Sequence, residues 1–201
     1  MKTKLVRLLA FAGVYSLLLM LGSGIVCAQG LTSGALKLIS ADELGRTQQQ
    51  VVRVNFDTSR GSFVMAVYPQ IAPHSTENFL RLVNSEFYDG LKFHRVVENF
   101  VAQAGELPEG DPRSELDKPI PDEINYVHHE PGTVSLAKLY DTEKKQYLPD
   151  SAGAQFFINL GENQRLDENF TVFGQVTQGM DVVKKLQVGD RIIRAYVINP
   201  L

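Results

Sequence analysis

Phe93-His94-Arg95-Val96-Val97-Glu98-Asn99-Phe100-Val101-Ala102-Gln103-Ala104-Gly105 contains two runs of β-forming residues separated by a polar pair. Branched and aromatic side chains fit a pleated, half-buried surface. With Glu98-Asn99 as the turn, residues 93–97 and 100–104 read as two antiparallel strands. Their register is left open by the sequence. Taken alone, Arg95 reads as a surface ion-pairing residue, Gln103 as an exposed strand amide and Phe100 as core.

Upstream, Val52, Val54 and Phe56 alternate with Val51, Arg53 and Asn55 in strand fashion, and residues 58–61 supply a turn into a second β-rich run at 62–68. After Pro69 and Pro73 the period changes. Phe79, Leu82 and Val83 stand at i, i+3 and i+4, which predicts an amphipathic helix ending near Asn84, with Ser75 or Thr76 as its cap.

Downstream, residues 106–131 are crowded with proline and charge and read as an irregular surface loop. Strand-like runs return at 132–139, 155–160 and 170–176, with a polar insertion at 140–151. A helix with Met180, Val183 and Leu186 inward follows Gly179, and residues 191–198 close the pattern as a strand. Many short strands with two good helices imply a mainly β domain, either barrel or sandwich.

Several of these stretches resemble the cyclophilin family and follow its order over almost all of residues 51–198. The quoted stretch matches the family's catalytic strand and turn. Supporting matches are Ala72-Pro73 through Glu77-Asn78-Phe79, Pro121-Asp122-Glu123, Gly132-Thr133-Val134-Ser135-Leu136-Ala137, Gln155-Phe156-Phe157-Ile158, and Val172-Phe173-Gly174-Gln175-Val176 leading into Gly179-Met180-Asp181-Val182-Val183.

The resemblance implies a closed eight-stranded antiparallel barrel with a helix over each end and a groove on its outer face. It implies a peptidyl-prolyl cis-trans isomerase acting on proline-containing polypeptides. Arg95 would be the catalytic residue, Gln103 the residue that holds it, and Phe100, Val101, Phe157 and Leu166 the proline pocket. Gln155 and Ala137 match positions that contact the peptide backbone, and Phe170 occupies a position often held by His or Tyr. Other departures are Lys138 for the usual Asn or Arg, Ala104 for a customary Gly, Arg165 where many relatives place Trp or Phe, and loss of the glycine-rich part of the loop after the catalytic strand. These bear on cyclosporin affinity and sequence preference, and leave the central Arg and Phe in place.

These residue types suit the chemistry. Rotation about a peptide bond breaks amide resonance at a cost of about 18–20 kcal/mol. As the bond twists, the prolyl nitrogen regains a lone pair, so a fixed cationic donor binds the transition state better than the planar ground state. A guanidinium stays protonated and offers several N–H groups. Alternation adds a second pointer: Phe156, Ile158 and Leu160 share one face, and Phe157 shares the other with Gln155 and Asn159. An aromatic ring among polar neighbours marks either a binding surface or packing under a loop.

Composition narrows the rest. The 201-residue chain is 44% hydrophobic and carries a net charge of −3, which allows one ordinary domain and argues against nucleic acid as a partner. His128-His129 point apart if the segment is extended, and no third ligand stands at metal spacing, so no metal and no cofactor are expected. Lys2, Lys4 and Arg7 precede an apolar run at 8–21, then Gly22, Ser23 and Gly24. Residues 1–28 thus read as a secretory signal peptide cut after Ala28, residues 29–50 as a flexible tether, and residues 51–201 as the domain. The cut removes Cys27, the only cysteine, and loss of those three cations takes the net charge from −3 to −6. An uncleaved membrane anchor and acylation at Cys27 are the competing readings of the N-terminus.

The leading reading is a monomeric, cofactor-free isomerase for exported polypeptides, working in the periplasm. A non-catalytic peptide-binding module or holdase is the alternative, motivated by Lys138, Arg165 and the 140–151 insertion. A membrane-tethered assembly factor is a third.

Overall fold

A computed structural model describes residues 51–198 of the chain. The expected signal peptide and tether lie outside these described residues. Among the described residues no helix is long and apolar enough to cross a membrane.

The fold is mainly β. Strands β1 (Val52–Thr58) and β2 (Gly61–Val67) form the first hairpin, followed by helix α1 (Pro73–Asn84). Strands β3 (Arg95–Val97), β4 (Val101–Ala104), β5 (Thr133–Leu136), β8 (Phe156–Asn159), β9 (Val172–Gln178) and β10 (Ile192–Ile198) complete one eight-stranded sheet. Its spatial order is β10-β1-β2-β9-β5-β8-β4-β3, and every ladder is antiparallel. A separate two-stranded hairpin, β6 (Tyr140–Asp141) with β7 (Gln146–Tyr147), rises from the 140–151 insertion. Helix α2 (Met180–Val183) is short; Leu186 lies just beyond it and is still buried.

The closed barrel is corrected to an open, curled sheet. No strand ladder joins β3 to β10, the two ends of the order. A bridge between Lys92 and Arg191 spans the gap, with Phe93 N–H donating to Asp190 O at 2.8 Å and Gly189 N–H to Phe93 O at 3.0 Å. Phe93 therefore serves this seam rather than extending β3.

The sheet curls around an aromatic core. Phe56 stacks on Phe63 with ring centres 5.0 Å apart, and Phe79 from α1 meets Phe173 at 5.0 Å and Phe156 at 5.7 Å. Tyr88 closes this cluster, and its hydroxyl donates to Ala154 O at 3.0 Å, which satisfies the one polar atom the ring carries inward.

Helix α1 starts differently from expectation. Ser75 and Thr76 are not caps; both lie in the first turn and are buried. Pro73 needs no amide partner at that position, the N–H groups of His74 and Ser75 donate to the two carboxylate oxygens of Glu123 at 2.9 and 2.8 Å, and Thr76 N–H reaches Ala72 O at 2.9 Å. The cap is thus a carboxylate 48 residues away.

The 106–131 segment is also not wholly a surface loop. It contains a 3-10 turn at Pro112–Leu116, bridges Ala152 through Ile120, and sends Val127 and His129 into the interior.

Candidate active site

Cross-strand register assembles the site. Arg95 pairs with Gln103, Gln103 with Phe157, and Phe157 with Ser135, so one row of side chains crosses β3, β4, β8 and β5 on a single face of the sheet. Val101, two residues before Gln103, shares that face. The opposite face of β8 sends Phe156 and Ile158 into the core, as alternation requires. Phe157 instead belongs to a second apolar cluster with Val101, Leu166 and Phe170, against which Phe100, Ala137 and Tyr147 pack.

The row ends in a polar relay. Arg95 is exposed and makes no ion pair among the described residues; its Nη1 donates to Gln103 Oε1 at 3.3 Å, and its guanidinium lies 5.3 Å from the centre of the Phe100 ring. Gln103 Nε2 then donates to Gln155 Oε1 at 2.8 Å. Because a guanidinium can only donate, the orientation of both amides follows from Arg95. The Gln155 amide nitrogen is left as the donor that can meet a peptide carbonyl.

Beside the relay is a recess of about 140 Å³ lined by Arg95, Phe100, Val101, Phe157, Leu166 and Phe170 among others. Ala137 also lines it, and Ala137 N–H donates to Gln155 O at 2.8 Å, so those two residues form one edge. A larger cleft of about 730 Å³ near Arg60 and Lys184 holds none of these residues and mixes both charge signs. The small recess, walled by Phe100, Phe157 and Phe170, is the one that suits a ring.

Arg95, Phe100, Val101, Gln103, Ala137, Phe157, Leu166 and Phe170 line the recess together, and Gln155 joins them through Gln103. A model of the cyclophilin type peptidyl-prolyl cis-trans isomerase/CLD family matches residues 53–198. The chain belongs to the cyclophilin family. A peptidyl-prolyl cis-trans isomerase of Acinetobacter baylyi is 36% identical to this cyclophilin over 155 residues, which are 74% of this chain and 76% of the relative. Peptidyl-prolyl cis-trans isomerase A of Dickeya dadantii is 38% identical over 135 residues, 64% of this chain and 67% of the relative. Among solved structures, the cyclophilin AquaCyp293 from Hirschia baltica superposes with a TM-score of 0.60 at 21% identity, covering 71% of this chain and 72% of that one, which shows the shared fold. The activity of this cyclophilin is peptidyl-prolyl cis-trans isomerisation.

Residues outside the expected set shape the pocket of this cyclophilin. His128 and His129 do not diverge: their Nδ1 atoms meet the two oxygens of Asp167 at 2.6 and 2.7 Å. His129 Nε2 lies 3.0 Å from Ser135 Oγ, and its ring stacks 6.0 Å from Phe157. Burial pushes the His129 imidazole below its ordinary pKa, against the pull of Asp167. The carboxyl of Asp167 is raised by its own burial, but hydrogen bonds from both histidines outweigh that and hold it low. A neutral His129 donating to Asp167 and accepting from Ser135 satisfies all three groups. The Ser-His-Asp order resembles an acyl-transfer relay, yet Ser135 and His129 are fully buried behind Phe157, so the trio props the pocket floor.

Lys138 and Arg165, which stood out as departures, are both engaged. Lys138 forms a largely buried ion pair with Asp122, tying the end of β5 to the preceding loop. Arg165 places its guanidinium 4.8 Å from the Phe100 ring centre. Tyr147 is a further lining residue, its ring 4.5 Å from that of Phe170. It gave no signal in the sequence because it lies in a polar insertion.

Proposed function

We propose that Arg95 drives the isomerisation by donating to the prolyl nitrogen as the X-Pro bond twists, while Phe157, Leu166, Val101 and Phe100 grip the ring. The observation that carries this reading is the Arg95 guanidinium, free of any carboxylate among the described residues and steadied by Gln103 at the mouth of the aromatic recess. No proton has to move and no covalent bond has to form.

Two effects share the barrier. A rate gain of about 10⁵ needs roughly 7 kcal/mol, and a charged hydrogen bond contributes only about 1.5–3 kcal/mol. The remainder falls to the apolar walls, which strip water from the amide and favour the less polar twisted bond. Gln155 and the Ala137 edge hold the flanking peptide.

The substrates are polypeptides exported with the chain, and the domain acts as a monomer in the periplasm. What supports this is the signal-like pattern of residues 1–28 and a site complete within one chain. The N-terminal residue of the mature protein is expected to be Gln29; a mature chain that begins at Met1 would instead indicate a retained anchor.

An Arg95→Ala variant assayed on a proline peptide tests the mechanism. Loss of roughly 10- to 100-fold in kcat/KM is expected, with unfolding unchanged because the side chain is exposed. A variant as fast as the parent would sink the assignment of Arg95.

A further inference from the structure

We propose that the β6–β7 hairpin is a specificity element, in which Tyr147 adds an aromatic wall to the proline pocket and makes this cyclophilin prefer X-Pro bonds flanked by an aromatic residue. This deepens the isomerase reading and rests on it.

The hairpin is anchored so that it must overhang the pocket. Residues 138–154 leave and re-enter the sheet at one point, because Ala137 N–H donates to Gln155 O at 2.8 Å. The Lys138–Asp122 ion pair fixes the base on one side. Ser151 ties the two arms together, accepting from Leu139 N–H at 3.1 Å and donating to Leu148 O at 2.7 Å.

Strands of two residues are too short to hold a position by themselves. Ring contacts hold this one. Tyr140 meets Tyr147 at 5.1 Å, Tyr147 meets Phe170 at 4.5 Å, and Phe170 meets Phe157 at 5.3 Å, each pair close to edge-on. A continuous aromatic series therefore runs from an exposed tyrosine on the insertion to the pocket floor.

That series sets what can sit beside the proline. The recess of about 140 Å³ has room for one small ring, so the side chain next to the proline lies outside it, against the Tyr147 rim or in the adjoining cleft of about 400 Å³ that shares Ala137 and Lys138 with it. Tyr147 is half-buried there and Tyr140 is 50% exposed, which leaves aromatic surface for a neighbour to cover. Of the five charged residues of the insertion, Glu143, Lys144 and Lys145 are exposed in the turn between β6 and β7, and neither they nor Asp141 and Asp150 line the recess. One added aromatic contact corresponds to roughly two- to tenfold in affinity.

The test measures kcat/KM on peptides Ala-Xaa-Pro-Yaa in which Xaa or Yaa, one at a time, is Phe, Leu, Ala or Glu, with the parent, Tyr147→Ala and Tyr147→Phe. The parent is expected to favour the better Phe-flanked peptide over its Ala counterpart by about fivefold. Tyr147→Ala should bring that ratio to near unity, and Tyr147→Phe, which keeps the ring, should restore it. Equal rates for Phe and Ala flanks in the parent, or a ratio untouched in Tyr147→Ala, would overturn the proposal. A uniform gain across all peptides would overturn it too, because the hairpin would then be an obstruction. If the parent isomerises none of the peptides, the isomerase reading fails by itself, and calorimetric affinities for the same series still show whether the preference exists.

Discussion

Arg95 and Gln103 face each other across the β3–β4 ladder, and their contact sets the orientation of Gln155 as well. The relay makes Gln103→Glu informative. A carboxylate there attracts the guanidinium into an ion pair and cannot donate to Gln155, so both ends of the relay change. Gln103→Ala should lower kcat/KM by about three- to tenfold, the range of one ordinary hydrogen bond, and Gln103→Glu should lower it further despite being nearly isosteric. Equal rates for the two variants would show that Gln103 does not position Arg95. Arg95, Gln103 and Phe157 were legible because the stretches that carry them resemble the family's; alternation by itself marked Phe157 as either binding surface or packing and left Arg95 and Gln103 as ordinary surface residues. Tyr147 and Asp167 were not. Each acts through a contact between segments far apart in the chain, and nothing in its immediate neighbours marks it.

At the scale of elements, α1 shows where local reading stops. The spacing of Phe79, Leu82 and Val83 was enough to place the helix, and all three are buried. Its start depended on Glu123, which closes the two free N–H groups and sets a negative charge at the positive end of the helix. Replacing Glu123 with Gln keeps the shape and removes one acceptor oxygen and the charge. A loss of about 1 kcal/mol of stability is expected, read as a lower urea midpoint at unchanged slope, with catalysis of the folded protein intact. An unchanged midpoint would mean that Pro73 and water already suffice. The 106–131 segment departs from its sequence pattern for a related reason: its polar composition suggests exposure, whereas the buried residues within it, Val127 and His129, are carried inward by contacts with β9 and Asp167.

For the molecule as a whole, acid should be the sensitive direction. The unfolded His129 takes up its proton near pH 6.5 and the buried one only at lower pH, so as pH falls the unfolded chain gains protons first and stability is lost. Asp167, also held low, adds to the loss once the pH drops below about 3.9. Above about 6.5 both contributions are fully present. Between pH 6.5 and the folded value the slope can reach about 1.4 kcal/mol per pH unit. Thermal melts from pH 7.5 to 5.0 should show a falling Tm in the parent and a flatter profile in His129→Asn, whose side chain cannot titrate; identical slopes would refute the role of His129.

The open seam has a consequence for how the enzyme fails. Strand β3 is three residues long and has a ladder neighbour on one side alone, while β8, carrying Phe157, is held on both sides. The cationic half of the machinery therefore sits on the most easily peeled strand, and the aromatic half on one of the last to let go. Amides of residues 95–97 should exchange with deuterium sooner than those of 156–159. In mild denaturant, turnover should fade while the interior rings still report a folded protein.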